Sequence, residues 1–249
     1  MMELSEFYPA PADLVSSEVR VLNHLRNQPY IKEVQPTFAR DTAQYYEQNR
    51  ANKVRFEFSS SLDIWHAAMM GKSWTNPRNE RKRPNLRLVI AMRIERLGQR
   101  AYESITYCMA VCRIRTQGNH TILRKFHFDI ACNGASSGRR LQQHPRCHLQ
   151  YCGAMLPRMQ QMGCRQAQLD PLHPWLSEPR IFCAPMSLGL LIDMAFHEFP
   201  DPRSARFRQD PSWRGLVHEQ QELVLLPFHR KCSEIIASQQ RLTDEFYVG

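Results

Sequence analysis

No stretch of the chain approaches the ~18 consecutive apolar residues that a membrane-spanning helix requires, so no span and no membrane partner is expected. The opening segment, MMELSEFYPAPADL, lacks the basic start and apolar core of a secretory signal, which makes the cytoplasm the expected location. The eight cysteines contain no CxxC pair. In a cytoplasmic chain they read as small hydrophobic residues or idle thiols, and a disulfide framework is not expected. Catalytic signatures are missing too. There is no Gly-rich P-loop, no GxGxxG, no GxSxG and no HExxH. ATPase, dinucleotide-dependent and serine-hydrolase activities therefore have no support, and no cofactor is specified. Internal repeats, heptad arrays and low-complexity tracts are likewise absent.

What the chain has is positive charge. It carries 33 Lys and Arg against 24 Asp and Glu, a net +9. Arg78, Arg81, Arg83, Arg87, Arg93, Arg96 and Arg100 crowd one short stretch. Such a surface attracts nucleic acid or another polyanion, and an acidic protein partner from the same operon would satisfy the same field.

Hydrophobic spacing gives the architecture. Leu14, Val15, Val19, Leu22 and Leu25 predict a helix over Pro11–Asn27, with Asp13 near its start. A shorter, polar helix is expected over Arg40–Asn52. Lys53–Ser59 alternates as a strand, and Ser61–Met70 reads as a helical turn or two. Gly71–Pro84 has the composition of an exposed loop. It could also serve as a phosphate-contacting arm, with Arg78, Arg81, Lys82 and Arg83 on backbone phosphate and Trp74 stacking on a base. Three long strands follow, at Asn85–Arg96, Ala101–Arg115 and Thr121–Ile130, and a fourth lies at Arg146–Cys152. Their short connections predict an antiparallel meander of at least four strands. Pro185–Phe199 is apolar almost all round and should be a buried helix. Pro211–Gln240 is helical and should be divided at Pro227.

The chemistry gathers between Leu123 and Gly153. Period 2 puts Lys125, His127 and Asp129 on one face of the third long strand, and Arg146, His148 and Gln150 on one face of the fourth, with His144 just before it. If the two strands pair, these faces coincide. Three readings compete. A His pair can act as general base and acid in phosphodiester cleavage, with Lys125 or Arg146 stabilising charge on phosphate. His144, His148 and Asp129 could bind a divalent metal with Cys147 or Cys152, although a fourth ligand is not evident. Alternatively, these are satisfied polar groups on the wet face of a half-exposed sheet. Asp193, on an otherwise apolar helix, needs a partner, for which Arg180 is the candidate.

The segments FHFD, HPRCHLQ, PRI and PMSLGLLIDMAFHEF, between Phe126 and Phe199, resemble in order and content an uncharacterised family of bacterial proteins of unknown function. That resemblance implies a toxin–antitoxin or phage-defence setting and no established activity. A more distant similarity is to small bacterial toxins with an aromatic-x-x-Asp strand followed by a His-rich strand.

The expectation is a single α+β domain over 1–249. It comprises a helical extension over 1–52, a sheet core over 53–155 and a mostly helical part over 156–249. It should bind or process nucleic acid in a bacterial defence or toxin system. As a nuclease it would use His127, His144 and His148 as acid/base groups, with Asp129 orienting one imidazole. As a non-catalytic accessory subunit it would dock a partner enzyme.

Overall fold

A computed structural model describes residues 4–26, 33–34, 53–64, 86–97, 101–114, 120–131, 144–151, 164–165, 180–199 and 202–248. Its centre is an antiparallel sheet. The long strands are β2 (Lys53–Ile64), β3 (Leu86–Leu97), β4 (Ala101–Ile114) and β5 (His120–Ala131). The two-residue β1 (Glu33–Val34) flanks β2, while β7 (Cys147–Tyr151) and β9 (Arg180–Phe182) extend the other edge in the order β1-β2-β3-β4-β5-β7-β9. A two-residue strand, β8 (Cys164–Arg165), pairs in parallel with one end of β5. Apart from the sheet, β6 (His144–Pro145) pairs with β10 (Tyr247–Val248) near the chain's end.

At β3 and β4 the described side chains are largely buried on both faces of this sheet. On one, Leu88, Ile90, Met92 and Ile94 of β3 join Ile105, Tyr107, Met109 and Val111 of β4, with Phe128, Ile130 and Cys147 beyond them. The opposite face buries small residues, Val89, Ala91, Cys108, Ala110 and Cys112. This is why β3 and β4 read as nearly unbroken apolar runs (LVIAM, CMAVC) in place of a clean alternation. The expectation of one wet, half-exposed face is corrected accordingly.

Helices cover the first face. Helix α1 (Pro11–Arg26) brings Leu14, Leu22 and Leu25, and α2 (Leu188–Glu198) brings Leu188, Leu191, Ile192 and Phe196. Each such side chain contributes roughly 1.5–3 kcal/mol on full burial. Helices α3 (Pro202–Gln209) and α4 (Pro211–Gln220) add Phe207 and Trp213. Asp210 starts α4 by accepting from the N–H groups of Ser212 and Trp213, at 2.8 and 3.0 Å. The chain closes with α5 (Leu226–Ala237) and the short α6 (Leu242–Phe246). Their Phe228 and Phe246 pack edge-on around Phe7.

Several expectations change in detail. The strand at Lys53 does not stop at Ser59. It runs to Ile64, because Leu62 and Ile64 continue the period-2 set opposite Leu88 and Leu86 of β3, so 61–64 is strand and not helix. Pro227 does not interrupt the helical run over 211–237. The segment Gln221–Leu225 is a π turn in which the N–H of Leu226 reaches the carbonyl of Gln221, and this widened turn carries the helix past a proline that cannot donate. The sheet also exceeds 53–155, through edge strands of two or three residues. The helix expected at 40–52, the segment 65–70 and the basic segment 71–84 lie outside the described residues.

Candidate functional site: a carboxylate between two imidazoles

Strand pairing fixes the site. Opposite Asp129 of β5 stands Thr106 of β4 on one side and His148 of β7 on the other. One step along, His127 is flanked by Cys108 and Gln150. Alternation puts all six side chains on the face opposite the helices. The same cross-strand row continues through Arg93 of β3 to Glu57 of β2.

The carboxylate of Asp129 is the hub. Its Oδ1 accepts from the Thr106 hydroxyl at 2.6 Å. The Nε2 of His127 lies 3.1 Å from the same oxygen, and the Nε2 of His148 lies 3.6 Å from Oδ2. The His127 contact has the distance of an ion pair without the alignment of a hydrogen bond, and neither of its buried ring nitrogens has a hydrogen-bond partner among the described residues. His148 is held differently. Its Nδ1 is 3.0 Å from the Pro145 carbonyl. A carbonyl only accepts, so Nδ1 carries the proton, and a second proton must sit on Nε2, facing Asp129, when the ring is charged.

Charge follows from this geometry. Burial opposes a charged imidazole at His127, but Asp129 beside it and Cys108 across the strand outweigh burial and raise its pKa to about 10. Burial pushes Asp129 up, yet the His127 imidazole, the Thr106 hydroxyl and the charge of His148 hold it below its usual value. At neutral pH the pair is therefore His127⁺ with Asp129⁻. A histidine held charged is a fixed cation and does not act as a neutral-pH base.

Access is restricted. The side chain of Asp129 is 25% exposed, that of His127 14% and that of His148 only 5%. Lys125, Arg146 and Gln150 are buried beside them. Thus His127, Asp129, His148, Lys125 and Arg146 come together on adjacent strands. His144 lies on β6, where its backbone pairs with Val248, and its side chain is outside the described residues. Trp74, Arg78, Arg81, Lys82 and Arg83 are outside them as well. Cys147 belongs to the helix-covered core, opposite His148, and so cannot join a metal set there. Among the described residues no group of three His, Cys, Asp or Glu could hold a metal ion.

The sequence does not announce a second polar centre. Glu18 of α1 is fully buried and accepts from the Tyr107 hydroxyl at 2.7 Å, from Gln220 Nε2 at 3.0 Å and from the N–H of Leu188 at 3.0 Å. Burial raises its pKa to about 7 against the pull of these donors. It thereby caps α2 from outside while Ser187, the residue before that helix, donates to Gln220. The one available signal is a lone Glu within the stripe Leu14, Val15, Val19 and Leu22. The expected pairing of Asp193 with Arg180 is also corrected. Asp193 receives two bonds from Arg208, at 3.0 and 3.1 Å, and one from Trp213 Nε1 at 3.0 Å, a structural tie between α2, α3 and α4.

Comparison with family models, curated proteins and solved structures gives no match for this chain.

Proposed function

We propose that the chain is a nucleic-acid-binding protein whose sheet half supplies the attraction. The observation that carries this reading is where the charge sits. Between Lys72 and Arg180 stand nineteen Lys and Arg and only six acidic residues: Glu80, Glu95, Glu103, Asp129, Asp170 and Glu178. The remainder of the chain, including the C-terminal helices, is slightly acidic. The net +9 is thus a property of the stretch 72–180, which contains most of the sheet strands. A field of one sign concentrated in one stretch of the chain steers a polyanion to that stretch. In this reading the Asp129 centre fixes β4, β5 and β7 in register beneath the binding surface, and Trp74 with its basic neighbours supplies contacts to phosphate and base. The direct test is a mobility-shift titration with single- and double-stranded oligonucleotides, in which added salt weakens the complex steeply.

Phosphodiester cleavage at the same centre is a second reading, favoured by one observation. Asp129 keeps a quarter of its side chain open to solvent between two imidazoles. His148 Nε2 would then carry the exchangeable proton, and His127 would act as a fixed cation opposite charge developing on phosphate. Incubation of the protein with labelled RNA and DNA separates the readings. Cleavage that disappears in His148→Gln supports the second, whereas binding without cleavage leaves the first alone.

A further inference from the structure

We propose that Arg146 is the seat of a bound oxyanion. It occupies the bend between β6 and β7, where its own N–H is tied to the Phe246 carbonyl at 2.6 Å. Cys147 turns into the helix-covered core, so alternation sends Arg146 to the same side as His148. Only 4% of the residue is exposed, and its Nε is buried without a hydrogen-bond partner among the described residues. No side-chain ion pair is found for it among the described residues.

A buried guanidinium left in this state is costly unless something anionic completes it. The described residues provide little to do so. No acidic residue occurs between Asp129 and Asp170. The carboxylate of Asp129 is already engaged by Thr106, His127 and His148. The other unsatisfied buried nitrogens among the described residues belong to His127, also a cation and also on this face. The ligand chemistry that suits such a surface is a tetrahedral oxyanion, which a planar guanidinium binds through paired N–H groups. Its source is either a backbone phosphate of nucleic acid or free phosphate. The first source rests on the nucleic-acid reading above; the seat itself does not.

The test is thermal unfolding of the full chain in sodium phosphate and in sodium chloride of equal ionic strength, for the native protein and for Arg146→Met. Phosphate at about ten times its dissociation constant should raise the native Tm by roughly 3 °C or more beyond chloride. Arg146→Met should unfold at the native temperature or above it without phosphate, because an unpaired buried charge has been removed, and should show no phosphate response. Arg146→Gln carries the same comparison if the Met variant does not fold. A native protein that responds equally to phosphate and chloride overturns the proposal, as does a variant that keeps the full phosphate response. An oligonucleotide arm identifies the source once the seat is established. Loss of oligonucleotide affinity in the variant assigns it to a backbone phosphate, and unchanged affinity assigns it to free phosphate.

Discussion

Asp129 and His148 stand directly opposite each other on β5 and β7, with the imidazole Nε2 3.6 Å from a carboxylate oxygen. The other imidazole nitrogen is fixed by the Pro145 carbonyl. The register that creates this pair also places His127 against Gln150, so one strand pairing sets the whole centre. A slip of one residue would send these side chains to the helix-covered face.

Removing the hub should cost stability. Asp129→Asn keeps the shape but removes the charge that holds His127 protonated against burial, and weakens the Thr106 bond. Contacts to a charged group are worth about 1.5–3 kcal/mol, and Asp129 makes such contacts with Thr106 and with two imidazoles. Urea denaturation at pH 7 should show a loss of about 3 kcal/mol. A change under about 0.5 kcal/mol, the ordinary range for surface substitutions, would mean that the centre contributes nothing to holding the strands.

Alkaline pH should act through His127. Its folded pKa is raised from 6.5 to about 10, so its contribution is fully present below 6.5 and is lost as pH rises through 10. The native protein should weaken across that window by a few kcal/mol, by the order-of-magnitude conversion of pKa to free energy. In His127→Asn this component of the slope should vanish. Denaturation midpoints measured at intervals from pH 6 to 10 give the comparison, and parallel curves for the two proteins would refute the charged assignment.

Glu18 governs a different window with the same sign. Its folded pKa is raised from 4.5 to about 7, so its contribution is present below 4.5 and lost as pH rises through 7. Glu18→Gln should remove that dependence, leaving the variant flatter than the native protein between pH 4.5 and 7. The conversion gives a native change of about 3 kcal/mol over this range. Equal slopes in the two proteins would show that the carboxylate does not titrate there.

Gly189 tests the packing around that carboxylate. A Cβ at this position would collide with Gln220 Oε1, which accepts from the Gly189 N–H at 2.8 Å and from Ser187 at 2.7 Å. Ala favours helix over Gly by about 1 kcal/mol, whereas overpacking costs about 1–3 kcal/mol. Breaking the Gln220 bonds adds to the second term, so Gly189→Ala should destabilise by roughly 2 kcal/mol. Gly215, in α4, has nothing within 4 Å of the place a Cβ would take and provides the control: Gly215→Ala should be stabilising. Urea midpoints of the two variants make the comparison.

The parts of the fold legible in the sequence are those with long periodicity. The strands β3, β4 and β5 and the helix stripe of α1 each repeat an apolar period over ten residues or more, and the Asp129–His148 face followed from counting by two along neighbouring strands. Strands of two or three residues, such as β1, β8 and β9, are too short for any period to show. Their existence depends on partners distant in sequence. Burial of the second sheet face was hidden because Ala91, Cys108, Ala110 and Cys112 are small, and small residues carry little hydrophobic signal. The partners of Asp193 lie 15 and 20 residues further on, on two other helices, and no local pattern points to them. The π turn before Pro227 is a backbone solution that the residue types alone do not announce.

The proposed binding of nucleic acid by the sheet half has its measurement in the salt dependence of affinity for a fluorescent oligonucleotide, followed by polarisation from about 50 to 300 mM salt. Neutralisation of several backbone phosphates predicts a straight line of log K against log salt with a slope of about −3 or steeper. No binding at about 50 mM salt with micromolar protein, or an affinity indifferent to salt, would contradict it.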